Sequence, residues 1–147
     1  MKTQNSIAIS KSIFLGILAT MMVVLLASCT KKVSFLTSSV VPAARGAVKV
    51  DQDRNKNYVI HLELENLAEA SRLTPPKKTY VVWMTADRNE TKNIGQIDTS
   101  TKAFSKNLKA SFESTSAAKP TKVFITAEDD ASIQYPSGQT VLTTSNF

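Results

Sequence analysis

The sequence is poor in the side chains that carry most catalysis and metal binding. It has one cysteine, Cys29, and one histidine, His61. A lone cysteine excludes an internal disulfide, and one Cys with one His cannot supply the ligands of a structural zinc site. Gly-x-Ser-x-Gly elbow, phosphate loop and dinucleotide fingerprint are all missing, and any Ser-His-Asp arrangement would have to use His61. Neither an enzyme nor a cofactor is expected. Long apolar runs are also scarce. The longest, residues 13–26, is broken by Gly16 and Thr20 and is too short for a hydrocarbon core of about 30 Å, which takes roughly 20 helical residues. No basic stripe interleaved with aromatics occurs, so nucleic acid is not an expected partner.

What is present begins with a leader. Lys2 and Lys11 precede the apolar run, and the small residues Ala27 and Ser28 follow it, ahead of Cys29. This is the layout of a secretory signal peptide. Ala27 and Ser28 let an extended backbone enter a peptidase site, Leu26 offers an apolar contact, and the Cys29 thiolate is a strong nucleophile for thioether formation. Leu26-Ala27-Ser28-Cys29 resembles the bacterial lipoprotein signal. That resemblance implies a diacylglyceryl group on Cys29, cleavage before it and acylation of the new amino end. The competing reading is an ordinary signal peptide with a chance cysteine.

The expected organisation is therefore a signal peptide over residues 1–28, a lipidated cysteine and short tether over 29–34, and one domain over 35–147. Removing residues 1–28 takes away Lys2 and Lys11 and no acid, so 18 basic residues fall to 16 against 12 acidic, a formal +4. Lys31 and Lys32 follow the anchor, placed either to meet anionic headgroups or to solvate a linker.

Short apolar segments separated by turn residues fill the rest, the spacing of an all-β sandwich. Strands are expected at 35–41, 45–50, 58–64, 80–84, 94–97, 103–112, 123–127 and 140–144. The clearest alternation sets Tyr58, Ile60, Leu62 and Leu64 inward and Val59, His61 and Glu63 outward. Residues 51–57 read as a hairpin turn. Residues 67–76, with Pro75 and Pro76, read as a crossing between sheets. Residues 80–84 are apolar on both faces, which places Tyr80 and Trp83 in the core. About seven or eight strands fit an immunoglobulin-like antiparallel β-sandwich.

From Tyr80-Val81-Val82-Trp83-Met84 onward the chain resembles the extracytoplasmic domain of anti-sigma-K factors. The matching residues are Ile94-Gly95-Gln96, the run Val123-Phe124-Ile125-Thr126-Ala127-Glu128, and Pro136-Ser137-Gly138 with Val141-Leu142. The resemblance implies a β-sandwich outside the cytoplasm. The family's zinc-binding half and transmembrane helix have no counterpart in this sequence.

Few candidate sites remain. Asp51, Asp53, Asn55 and Asn57 alternate as a calcium loop begins, but Lys56 stands where that loop needs Gly and Leu62 where it needs Glu. Glu128, Asp129 and Asp130 form the acidic cluster, a weak candidate for a cation or a raised carboxyl pKa. Tyr135 and Trp83 could flank a groove. His61 faces outward without a second ligand, and Asn89-Glu90-Thr91 is a formal sequon read as a hairpin loop. The expectation is a lipid-anchored envelope domain that binds or scaffolds, at the outer membrane facing the periplasm. Its partners are the membrane, through Cys29, and an envelope protein or cell-wall component. A sensory accessory to an anti-sigma system and a cation or small-ligand module are the alternatives.

Overall fold

The computed structural model describes residues 31–97 and 109–147. Leu26, Ala27, Ser28, Cys29 and the leader lie outside the described residues, as does the beginning of the strand expected at 103–112.

Eight strands are described: β1 (Lys31–Ser34), β2 (Arg45–Gln52), β3 (Tyr58–Glu65), β4 (Thr79–Ala86), β5 (Thr91–Ile97), β6 (Ala110–Ser116), β7 (Pro120–Glu128) and β8 (Gln139–Thr143). They form two four-stranded sheets, ordered β1-β2-β3-β6 and β5-β4-β7-β8. Every pairing is antiparallel. The molecule is a β-sandwich.

Period-two alternation explains the first sheet. Ile60, Leu62 and Leu64 of β3 are buried, and Val48 and Val50 of β2 lie opposite Leu62 and Ile60. The intervening side chains face out: Lys49 pairs with Glu63 at 2.9 Å and Lys109 with Glu65 at 3.1 Å, while His61 Nδ1 lies 3.1 Å from Glu113 Oε2. One apolar face and one charged face fix the register, because a one-residue slip would exchange them.

The second sheet supplies Tyr80, Val82, Met84, Ala86, Val123, Ile125 and Ala127 to the same core. In β5 a register shift beside Val82 and Trp83 accommodates Gly95 at φ +141°. A Cβ there would lie 2.7 Å from the Phe112 ring, so the glycine lets β5 and β6 close one side of the sandwich. Between β3 and β4 the chain crosses sheets through a single 3₁₀ turn at Ala70–Arg72, burying Leu67, Ala70 and Leu73. The Tyr80 hydroxyl donates to the Ala68 carbonyl at 2.9 Å and pins this crossing to the second sheet. Burial pushes that phenol up to about 12.

Two expectations need correcting. Residues 31–34, assigned to a tether, form β1, paired along its length with Ala47 to Val50. Residues 35–41, assigned to a strand, contribute only an isolated bridge from Phe35 to Thr144. The physical reason lies at Ser38, whose buried hydroxyl accepts from the Val40 and Val41 amides at 3.2 and 2.9 Å. A side chain that takes its neighbours' donors diverts them from a ladder.

Because neighbours alternate in direction, the sandwich has two distinct ends. Its proximal end gathers the start of β1, the turns at 53–57, 87–90 and 117–119, and Phe147. Its distal end gathers the segments 35–44 and 66–78 and the start of segment 129–138, which then turns back over the second sheet toward Asn93.

Candidate functional site

On β4, Tyr80, Val82, Met84 and Ala86 point between the sheets, so Val81 and Trp83 belong to the outer face. Both are nevertheless 0% exposed. The cover is the segment 129–138, which straps across that face. Asn93, opposite Trp83 on β5, donates through Nδ2 to the Ala131 carbonyl at 2.8 Å and the Ile133 carbonyl at 2.9 Å. Its Oδ1 accepts from the Gly95 amide at 3.0 Å, which fixes the amide orientation.

Glu128 holds the other end of the strap. Its Oε1 accepts from Thr126 Oγ1 at 2.7 Å, the Ser137 amide at 3.1 Å and the Gly138 amide at 2.8 Å, while Oε2 accepts from Ser137 Oγ at 2.9 Å. Thr126 Oγ1 in turn accepts from Trp83 Nε1 at 2.8 Å, so indole, hydroxyl and carboxylate form one chain. Trp83 also stacks on Phe124 with ring centroids 6.3 Å apart. Burial alone would raise the Glu128 pKa, but the donors from Thr126, Gly138 and Ser137 outweigh it and hold the carboxyl below its usual value.

The acidic cluster is thus divided among three tasks. Glu128 is buried in the clamp, Asp129 pairs with Lys77 at 2.7 Å, and Asp130 accepts from the Ser132 amide and hydroxyl, each at 2.8 Å. The Ser132 bonds keep the Asp130 pKa low. Among the described residues no three His, Cys, Asp or Glu side chains converge as metal ligands. Tyr135 is 81% exposed on the strap while Trp83 lies covered, so the two do not flank one groove. Asp53 is spent inside the hairpin turn, accepting from the Asn55 and Asn57 amides at 2.8 Å and from Asn57 Nδ2 at 3.1 Å. The Asn57 side chain is the main reason its pKa falls. Asn89 closes the turn before β5 in the left-handed region.

The feature that sequence reasoning did not find is a cavity of about 300 Å³ at the proximal end. Lys31 from β1, Asp51 from β2, Tyr58 from β3, Lys119 before β7 and Phe147 surround it, over Val50 and Pro120. Lys31 Nζ stands 5.5 Å from the centre of the Phe147 ring. Asp51 Oδ1 is buried and has no hydrogen-bond partner. The lining combines two ammonium groups with two aromatic rings, which suits a small anionic ligand. No local motif announces it, because Lys31 and Phe147 lie 116 positions apart in the chain.

No family model, curated protein or solved structure matches the chain.

Proposed function

We propose that this protein is a lipid-anchored, immunoglobulin-like domain of the bacterial envelope that binds or scaffolds partners. The observation that carries the reading is the distance from Cys29 to the fold. β1 begins at Lys31, so a lipid on the thiol would hold the proximal end within about 7 Å of the membrane, at about 3.5 Å per residue. A chain with acyl groups at that point is held by about 0.8 kcal/mol per buried methylene. The domain would then stand on its proximal end and offer its distal segments to the periplasm, at raised effective concentration for other membrane-bound partners.

The immunoglobulin-like assignment is supported by the order of connections. β2-β3, β4-β5 and β7-β8 are sequential neighbours within a sheet, whereas β6 returns to β3 and β7 to β4. Greek-key sandwiches are wired in this way. The residues that resemble anti-sigma-K factors also converge physically: Trp83, Glu128, Ser137 and Gly138 meet in the strap clamp, and Gly95 accepts the Phe112 ring. Those contacts support a shared architecture.

The test is growth with an alkyne-tagged fatty acid. Wild type is expected to incorporate the tag, and Cys29→Ser to lose it and to accumulate with its leader attached. Equal labelling of both, or of neither, sinks the anchor. Crosslinking in intact cells then identifies what the distal end meets. Capture of a sigma-regulating membrane protein would turn the reading from scaffold to sensor.

A further inference from the structure

We infer that the outer face of the first sheet is a contact surface for a second copy of this chain, the two copies standing side by side with their proximal ends level. The inference rests on how charge is divided across that face, and it holds whether or not Cys29 carries a lipid. Residues paired across antiparallel strands share a face. Lys32, Lys49, His61 and Glu113 therefore form one row from β1 to β6, and Arg45 stands opposite Glu65 in another. The half made by β1 and β2 presents Lys32, Arg45 and Lys49, whereas the half made by β3 and β6 presents Glu63, Glu65 and Glu113. Asp51, at the proximal end of β2 and opposite Val59, is the exception. Within one chain the division is only partly answered. Lys49 pairs with Glu63 and Lys109 with Glu65. Lys32 and Arg45 make no ion pair among the described residues, and Glu113 has only His61 beside it.

A two-fold axis lying in this face and parallel to the strands makes the pattern complementary to itself. It keeps proximal and distal in place and exchanges the halves, so β2 faces β3 of the second copy and β1 faces its β6. Lys32 then meets the second copy's Glu113, Arg45 meets its Glu65, and Lys49 comes between its His61 and Glu63. Each contact occurs twice. An axis across the strands would instead lay cations on cations, which excludes a pair with its ends reversed. Ser34, Ala47 and Ser111 share a row with Glu63, and their short side chains leave depth for longer ones between sheets about 10 Å apart. Strands about 4.8 Å apart and up to eight residues long give a footprint of roughly 500 Å² per copy, the low end for a specific complex. The pair is therefore weak and reversible in solution, and confinement to one membrane would populate it.

The test is sedimentation equilibrium of the whole protein in a density-matched neutral detergent, taken up to about 1 mM so that weak association registers. Wild type is expected to dimerise, and the dimer to weaken as salt rises, because its contacts are exposed charges. Two charge-reversed chains decide the face. Lys32→Glu with Arg45→Glu makes both halves acidic, and Glu65→Lys with Glu113→Lys makes both basic. Each alone should associate at least about tenfold more weakly than wild type, since like charges then meet. Mixed in equal amounts, the two should pair with each other at close to the wild-type affinity, because every reversed charge meets its opposite again. That rescue also shows that both chains are folded, which thermal melts check separately. A wild type that stays monomeric, or a dimer indifferent to both reversals, would overturn the inference. So would reversed chains that melt like wild type yet fail to pair when mixed. Fatty-acid labelling of Cys29 is scored independently, so the anchor and the face can fail one without the other.

Discussion

At the residue scale the decisive groups are those with no freedom left. Glu128 is 2% exposed and engaged by Thr126, Ser137 and Gly138. Its folded pKa lies below the ordinary 4.5, so its contribution to stability is complete above about 4.5 and disappears as pH falls through the lowered value. Glu128→Gln is expected to cost about 1–3 kcal/mol at neutral pH, because an amide turns donors toward donors. That deficit should narrow as pH falls below 4.5 through the lowered value, which urea unfolding at neutral pH and at successively lower pH would measure. Gly138 admits no side chain: a Cβ would collide with the Ala127 carbonyl oxygen and stand 2.7 Å from Glu128 Oε2. Gly138→Ala should therefore cost about 3 kcal/mol or more, since the obstacle is backbone that cannot step aside. Lys56 is the opposite case, an exposed lysine at φ 65° in the hairpin turn. Lys56→Gly should raise the unfolding free energy by about 1 kcal/mol through relief of left-handed strain.

At the element scale the strap matters most. Segment 129–138 contains no strand, yet it closes the outer face of the second sheet through Asn93 at one side and Glu128 at the other. Asn93→Ala removes the two bonds to Ala131 and Ile133, and should loosen the strap by about 1–2 kcal/mol without unfolding the sandwich. Trp83 is the single tryptophan, so its emission should shift to the red and its quenching by iodide should rise. An unchanged spectrum would mean that something other than the strap shields the indole. The elements were legible in the sequence wherever burial is one-sided. Strands β2 and β3 show the alternation directly, and the apolar run of β4 marks a strand covered on both faces. Which cover lay on the outer face was not legible, because the strap reads as a polar loop and its hold depends on Asn93, 38 positions before Ala131. β1 escaped notice because Lys31-Lys32-Val33-Ser34 carries almost no apolar signal, and an edge strand needs little. The acidic cluster looked like a site because sequence shows adjacency and hides direction. In the fold Glu128 meets the Thr126 and Ser137 hydroxyls while Asp129 reaches Lys77.

At the scale of the whole molecule, the proposed anchoring would give the two ends different surroundings. β3 spans eight residues, about 26 Å at some 3.3 Å per residue, which separates the proximal turns from the distal segments. On the proposed anchoring the Cys29 thiol is blocked by lipid, so a second cysteine can be introduced to carry a nitroxide. A label at Asn55 should show strong relaxation by a paramagnetic lipid headgroup, and one at Ala43, exposed just before the distal start of β2, should show little. Equal relaxation at the two positions would mean that the domain lies on its side. The joining of β1 to the rest has a mechanical consequence. On the proposed anchoring, a partner that grips the distal segments and pulls away from the membrane would draw on the lipid through the proximal start of β1. That load runs along the strand axis, against β2, whose partners from Ala47 to Val50 lie alongside β1 from Ser34 to Lys31. The hydrogen bonds between them are then stressed together, as in a lap joint, instead of being opened one after another from an end. On the proposed anchoring, the short first strand would make the domain hardest to pull off in the direction away from the membrane.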